Sequence, residues 1–223
     1  SLLYSPETPL SRWAQEVLDT VFCDTHYQLS SNLMQELSGK TDTSELLAIL
    51  RMRPDDPALM HDSPCPLYIL FDRPSNHGNL GSIIRSADAL GADGLILTGH
   101  GVDLYQPEVI TASMGSFFNL PAIRMADNDT VFDWIARQRD LHPGFQVIGT
   151  TAHKQLNITQ VDFRLPTVLM IGNETEGLCR AFKEGCDLLA TIPMADTSSA
   201  SSFNVACAAT VMMYEVCRQR AQD

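Results

Sequence analysis

Short, mostly apolar runs that alternate with helical segments are the feature that most constrains how this chain can fold. Leu67–Phe71 and Thr167–Ile171 are uninterrupted runs of this kind, typical of strands buried on both faces of a sheet. We predict further strands at residues 94–98, 145–149 and 188–192, and helices at residues 80–90, 107–114, 130–139, 178–183 and 203–219. The alternation predicts an α/β fold with a mostly parallel sheet and helices on both faces.

A proline-rich seam between Arg53 and Pro66 divides the chain. Residues 1–62 contain Leu10–Leu18 and Leu29–Leu37, in which apolar residues recur at helical spacing, so we predict a small, mainly helical N-terminal segment. A piece of about sixty residues buries little surface alone. Residues 63–223 are predicted to form the α/β domain.

Three predicted loops are candidates for chemistry, because ligands of parallel sheets lie beyond the carboxyl ends of the strands. They are residues 72–79, 172–177 and 193–202. In the first, Gly78 and Gly81 permit close approach of the backbone to a ligand, and Asn79 is predicted to cap the helix that follows. In the second, a carboxylate at Glu174, after a buried strand, requires an arginine or a backbone N–H as partner.

The third loop leads into a helix that has no charged residue from Val205 to Met213. Ser201 or Ser202 is predicted to cap it. A helix that is apolar on all sides is buried on all sides. We therefore expect its own sheet to cover one side and a second subunit to cover the other.

Charge and cysteine usage narrow the functional classes. The 223 residues carry 27 acidic and 15 basic side chains, a formal charge of −12, whereas proteins that bind nucleic acid by bulk electrostatics are usually basic. The six cysteines form no C-x-x-C pair, and residues 1–6 lack the basic region and apolar run of a signal peptide, so a cytoplasmic, reduced chain is expected. No apolar run approaches the roughly 18 residues of a membrane span, and no histidine or cysteine spacing predicts a metal site.

Taken together, the three loops resemble the SpoU (TrmH-type) branch of the SPOUT superfamily, the knotted RNA 2′-O-ribose methyltransferases. The resemblance covers about residues 66–219. N-x-G-x-x-x-R stands at residues 79–85, G-x-E-x-x-G-L at 172–178, and I-P-M at 192–194 followed by S-x-N-V at 202–205. Residues 29–52 are faintly similar to the small RNA-binding domain that often precedes this catalytic domain, which makes residues 1–62 its remnant.

The resemblance implies a C-terminal trefoil knot, a homodimer, tRNA or rRNA as the substrate, and S-adenosylmethionine as the cofactor. Phe203 departs from the usual leucine, and the loop after Met194 is about two residues longer than is common. Six residues at the second and third motifs are implied to bind the cofactor: Gly172, Asn173, Gly177, Ile192, Met194 and Phe203.

Five residues are implied to serve the transfer itself. Arg85 would bind the phosphate beside the target ribose and stabilise the charge of the reacting groups, or it would accept the proton of the 2′-hydroxyl. Asn79 and Ser202 would orient Arg85 or that hydroxyl. Glu174 would pair with a cation, across the dimer in one version, and Asn204 would brace the knot.

Other functions stay open at this stage. A non-catalytic RNA-binding or assembly protein of the same fold is compatible with the acidic charge. A SPOUT enzyme that methylates a base or a non-RNA substrate is a second alternative. A nicotinamide-dependent dehydrogenase is disfavoured, because the chain lacks the G-x-G-x-x-G fingerprint.

Overall fold

The computed structural model describes residues 1–153 and 155–221 and divides into two compact units, Ser1–Arg53 and Pro54–Asp223. The division falls at the start of the proline-rich seam. No helix within the described ranges is both long enough and apolar enough to cross a bilayer.

The first unit is a three-stranded sheet with two helices. Its order along the chain is β1 (Leu2–Tyr4), α1 (Arg12–Thr20), β2 (His26–Gln28), α2 (Ser31–Ser38) and β3 (Leu46–Ala48). β1 lies in the centre, parallel to β2 and antiparallel to β3. Both helices lie close to their predicted positions. The strands were not predicted, because three residues are too few to show a period-two pattern.

The second unit contains a seven-stranded sheet in the order β6-β5-β4-β9-β7-β10-β8, and every strand pair in it is parallel. This confirms the predicted α/β fold. Its strands are β4 (Leu67–Asp72), β5 (Gly94–Thr98), β6 (Ala122–Met125), β7 (Gln146–Thr150), β8 (Leu156–Asn157), β9 (Thr167–Ile171) and β10 (Leu188–Thr191). Its helices are α3 (His77–Ala89), α4 (Pro107–Ala112), α5 (Asn128–Leu141), α6 (Arg180–Gly185) and α7 (Val205–Arg220).

Alternate residues of the central strands point into two hydrophobic cores, one on each face of the sheet. Ile69 and Phe71 of β4 pack in the core that contains residues of α3, α4 and α7. Tyr68 and Leu70 pack in the other core with residues of α5 and α6, where Trp134 stacks edge-to-face on Tyr68. Burial of both faces explains why the strand sequence is uninterrupted rather than alternating.

The helix starts that frame the candidate loops differ from the sequence predictions. α3 begins at His77, and its cap is Asn76, whose side chain accepts from the backbone N–H of Asn79. The prediction that Asn79 is the cap is therefore wrong. α7 is capped by Asn204, which accepts from two backbone N–H groups, so the prediction of a serine cap at residue 201 or 202 is also wrong.

The burial of α7 is one-sided within the chain. Ala209, Met212 and Met213 pack into the core, whereas Val211 and Tyr214 are 42% and 58% exposed. One face of α7 is therefore covered by its own sheet, as the sequence predicted. The opposite face is apolar and open to solvent in the single chain.

Candidate active site

A cavity of about 350 Å³ opens at the carboxyl ends of β7, β9 and β10, which are neighbours in the sheet. Its walls come from the residues that follow each of these strands and from the beginning of α7. The six residues that the sequence assigned to cofactor binding all line it: Gly172, Asn173, Gly177, Ile192, Met194 and Phe203. Two predicted catalytic residues, Glu174 and Ser202, line it as well.

The loop after β9 folds tightly back on itself. Asn173 and Gly177 exchange backbone hydrogen bonds of 3.2 and 2.9 Å, and the Asn173 side-chain oxygen accepts from the backbone N–H groups of Thr175 and Glu176. A Cβ at Gly172 would lie 2.2 Å from the backbone nitrogen of Leu178, and Gly177 has a φ of 69°. The glycines at these two positions are therefore required by the loop shape.

Glu174 accepts hydrogen bonds from the first candidate loop. Its Oε2 accepts from the backbone N–H of Ser75 at 3.1 Å and from Ser75 Oγ at 2.5 Å, and its Oε1 accepts from Asn79 Nδ2 at 3.2 Å. Burial alone would raise the pKa of Glu174, but these bonds, led by that of Ser75, bring it below its ordinary value. The predicted backbone partner is present. Among the described residues no cation pairs with this carboxylate, and the cation that the resemblance implies for it stays a prediction.

Asn79 connects Glu174 to the third loop. Its Oδ1 accepts from Asn204 Nδ2 at 3.1 Å, while its Nδ2 donates to Glu174. A continuous series of hydrogen bonds thus runs from Ser75 through Glu174 and Asn79 to Asn204. The three motifs, which lie up to 125 residues apart along the chain, meet through their side chains.

Arg85 stands apart from this series. It lies on α3, it is exposed, and it is not among the residues that line the cavity. Within the described part of the chain it has no hydrogen-bond or ion-pair partner. Its neighbour Ser86 bonds to Thr210 across a 2.8 Å contact, so Arg85 lies where α3 and α7 run beside each other.

Several residues at the site were missed by the sequence analysis. Asp72 ends β4 with 2% of its surface exposed and pairs with Arg73, which also binds Glu176. Lys183 and Thr151 line the cavity. A carboxylate that ends a buried strand requires a partner, and that signal could have identified Asp72 and the arginine beside it.

Residues 1–153 and 155–221 contain no group of three or more histidine, cysteine, aspartate or glutamate side chains that could hold an ion. All six cysteines are unpaired.

Comparison with known proteins places these features in a family. The family model described as SpoU rRNA Methylase matches residues 66–214. This chain belongs to the SpoU rRNA methylase family. The chain is also similar to a 23S rRNA (uridine(2479)-2′-O)-methyltransferase of Streptomyces viridochromogenes, with 43% identity over 221 residues, 99% of this chain and 76% of that protein.

Another similar protein matches a smaller part of this chain and is longer than this chain. An uncharacterized tRNA/rRNA methyltransferase of Synechocystis is 35% identical over 161 residues, which span 72% of this chain and 40% of that protein. Among solved structures, the SpoU methyltransferase AviRb of S. viridochromogenes in complex with AdoMet matches with a TM-score of 0.90 and 42% identity, covering 100% of this chain and 83% of that one. The similarity to AviRb extends over both compact units.

Proposed function

We propose that this chain transfers the methyl group of S-adenosylmethionine to a ribose 2′-hydroxyl of ribosomal RNA. One observation carries the proposal: the residues of three separate SpoU motifs converge on a single cavity and its hydrogen-bonded rim. The similarity to the Streptomyces 23S rRNA 2′-O-methyltransferase supports ribose as the acceptor and rRNA as the substrate. Transfer RNA is the competing substrate.

The cavity has the chemical character that the cofactor needs. Leu178, Ile192 and Val205 offer apolar surface for an adenine ring. The backbone at Gly172, Ile192 and Phe203 is assigned to hydrogen bonds with the cofactor. Lys183 provides a basic side chain for a carboxylate. The bound cofactor supplies an electrophilic methyl group on a sulfonium.

The protein's task is to bring a weak nucleophile into line with that methyl group. A ribose hydroxyl reacts only when it is oriented and when its proton has an acceptor. We assign Arg85 to the neighbouring phosphate, which a guanidinium can bind through two parallel N–H donors. Ser202, at the cavity wall, orients the hydroxyl. Glu174, Asn79 and Asn204 hold the three loops in register.

We infer that the working unit is a homodimer. Arg85 is outside the cavity of its own chain, and the exposed face of α7 beside it carries Cys207, Val211 and Tyr214. A second copy on this face would cover the apolar surface and bring an arginine toward the opposite cavity. It would also offer Glu174 the cation that it lacks in one chain.

We propose that the predicted trefoil knot forms in the same region. β10 lies between β7 and β8, although β8 directly follows β7 in sequence. In the proposed knot, the chain that leaves β10 passes the connection between β7 and β8 before it reaches α7. Thr151 and Ile192 both line the cavity, which supports a crossing at this point.

Two further assignments concern the whole chain. We propose that the N-terminal unit, the predicted remnant of a substrate-binding domain, contacts RNA through Arg12, Lys40 and Arg51, all of which are exposed.

We also propose a cytoplasmic location, where thiols such as the six of this chain remain reduced. Cell fractionation with an antibody to the chain tests the location.

The deciding experiment is transfer of a tritiated methyl group from S-adenosylmethionine into fractionated rRNA and tRNA, followed by mapping of the modified nucleotide. Label at a ribose 2′-oxygen of rRNA is expected. Label on a base would replace the proposal with base methylation. RNA binding without label on any cellular RNA would favour a non-catalytic assembly protein.

A further inference from the structure

Arg73 holds an unfavourable backbone conformation where β4 passes into the first candidate loop. Its φ is 51°, and Met114 is the only other non-glycine residue with positive φ among residues 1–153 and 155–221. The left-handed region is costly for any residue with a side chain other than hydrogen. Such a conformation persists where surrounding contacts fix it, so the contacts of Arg73 indicate what the strain supports.

The guanidinium of Arg73 joins a buried carboxylate to the cofactor loop. Its Nε and Nη2 donate to the two oxygens of Asp72 at 3.1 and 3.2 Å. Nη1 forms an ion pair with Glu176, and Nη2 also donates to the carbonyl of Gly177 at 3.1 Å. The bond to Asp72, followed by that to Glu176, raises the pKa of Arg73 above its ordinary value against the opposing effect of burial. The guanidinium therefore stays charged.

Asp72 is itself fixed, so it can anchor the arginine. It is 2% exposed, and it accepts further bonds from Thr98 Oγ1 at 3.2 Å and from the backbone N–H of Cys179 at 2.7 Å. Both oxygens are thus engaged on several sides. A bidentate pair of this kind has little freedom to reorient.

The backbone of Arg73 adds a third attachment to the same loop. Its carbonyl accepts from Asn173 Nδ2 at 2.8 Å. The attachments at Asn173, Glu176 and Gly177 are all made to residues that line the cavity, whereas Arg73 does not line it. A Cβ at Gly172 would collide with the backbone of Leu178, so the two ends of the loop pack tightly against each other and have little room to shift. Its position is set from outside the cavity.

We propose that Arg73 is a positioning residue for the cofactor: anchored on Asp72, it holds the loop at residues 172–178 in the shape that binds S-adenosylmethionine. The inference rests on the proposed function and extends it to a residue outside the three motifs. Because Arg73 touches neither the cavity nor the reacting atoms, its loss weakens cofactor binding more than it slows turnover of the loaded enzyme.

Calorimetric titration of the full chain with S-adenosylhomocysteine tests this. Arg73→Gly removes the side chain and also relieves the backbone strain, so a purely local strain effect would leave binding unchanged. We expect its Kd to rise about tenfold, within the range of couplings inside one hydrogen-bond network. Arg73→Lys, which keeps the charge but not the planar fork, should recover part of the loss.

Glu176→Gln is the companion variant, since its side chain is 67% exposed and its replacement does not threaten folding. We expect a Kd about threefold above wild type, in the same direction as Arg73→Gly. Arg180→Ala is the matched control, because it breaks another Arg–Glu pair, to Glu184, at a solvent-exposed position. Its Kd should equal that of wild type.

Steady-state kinetics complete the test. KM for the cofactor should rise in the two variants, with KM for RNA and kcat at saturating cofactor within about threefold of wild type. Wild-type Kd in both Arg73→Gly and Glu176→Gln, or a lower melting temperature without weaker binding, would overturn the inference alone. A wild-type chain that does not bind the cofactor would overturn the proposed function and this inference with it.

Discussion

Arg85 is the residue on which the proposed chemistry most depends, and its surroundings make a sharp test possible. It is exposed and has no partner within the described residues, so Arg85→Ala should neither unfold the chain nor disturb the cavity. We expect methyl transfer to fall by about 10²-fold or more, with unchanged melting temperature and cofactor Kd. The matched control is Arg180→Ala, which removes another exposed arginine, on α6. Retained transfer would contradict the role assigned to Arg85.

Glu174 makes stability at the site depend on pH. Its pKa is lowered in the folded state, because the bonds from Ser75 and Asn79 outweigh the effect of burial. A carboxyl group of this kind stabilises the fold at pH values above its unfolded pKa of about 4.3, and this contribution is lost as the pH falls through the folded value. Glu174→Gln should therefore be less stable than wild type at pH 7, and the difference should shrink below about pH 4.

Urea unfolding of both proteins at pH 7 and pH 3.5 measures this difference. Glu184→Gln serves as the control, since Glu184 is solvated and pairs with Arg180 on the surface; its effect should be small at both pH values. A Glu174→Gln variant whose destabilisation grows on acidification would contradict the sign of the pKa shift.

At the scale of elements, the start of α7 performs two tasks through one side chain. Asn204 Oδ1 accepts from the N–H groups of Ala206 and Cys207, while its Nδ2 donates to Asn79. Asn204→Ala should lose both and cost about 1 kcal/mol of stability for the cap alone. Asn204→Ser keeps a capping oxygen and loses only the link to Asn79. We expect it to unfold like wild type but to transfer methyl groups more slowly; full activity would contradict a functional role for the link.

The same elements show what sequence could and could not predict. β5 and β9 were predicted to the residue, because burial on both faces produces an uninterrupted apolar run. β6 and β8 were missed, since Arg124 interrupts one and the other has only two residues. Both wrong caps arose where several capping residues stand close together, as Asn76 and Asn79 do. The residue types allow either asparagine to be the cap, and only the backbone geometry determines which one caps the helix.

The partners across the site could not be predicted for a different reason. Glu174 was expected to need an arginine or a backbone N–H, which is a statement about its own desolvation. The donor to Glu174 is Ser75, and Arg73 pairs with Glu176 instead. Both contacts depend on β4 and β9 lying side by side in the sheet. These residues are about one hundred positions apart in the chain, and no local pattern encodes that proximity.

At the scale of the whole molecule, the proposed dimer should be separable from folding. Val211 is exposed on the apolar face of α7, so Val211→Glu should fold, because a charge at an exposed site costs little, yet it would place a charge in the interface. We expect monomers by light scattering and a loss of transfer of about 10²-fold. Leu141→Glu, at another exposed apolar position, is the control and should stay dimeric. A dimeric, active Val211→Glu protein would exclude this face as the interface.

The charge distribution decides how such a chain can bind RNA at all. The formal charge is −12, and within the described residues several arginines of the second unit are already paired with carboxylates, among them Arg73, Arg124, Arg139 and Arg218. Arg85 and Lys183 have no such side-chain partner there. Few cations are therefore available to displace counterions from phosphates.

Binding of RNA should consequently respond weakly to salt. Arg85 and the three basic residues assigned to the N-terminal unit make about four phosphate contacts, so the slope of log K against log salt should be near −3, since each contact adds about −0.7 on a single strand. Arg85→Ala should reduce the magnitude of that slope by about 0.7, whereas Arg180→Ala, whose partner Glu184 already neutralises it, should leave the slope unchanged. Fluorescence anisotropy of a labelled rRNA fragment between about 50 and 300 mM KCl measures it. A slope steeper than about −6 would show that RNA is gathered by a broad basic surface, which the charges of this chain do not provide.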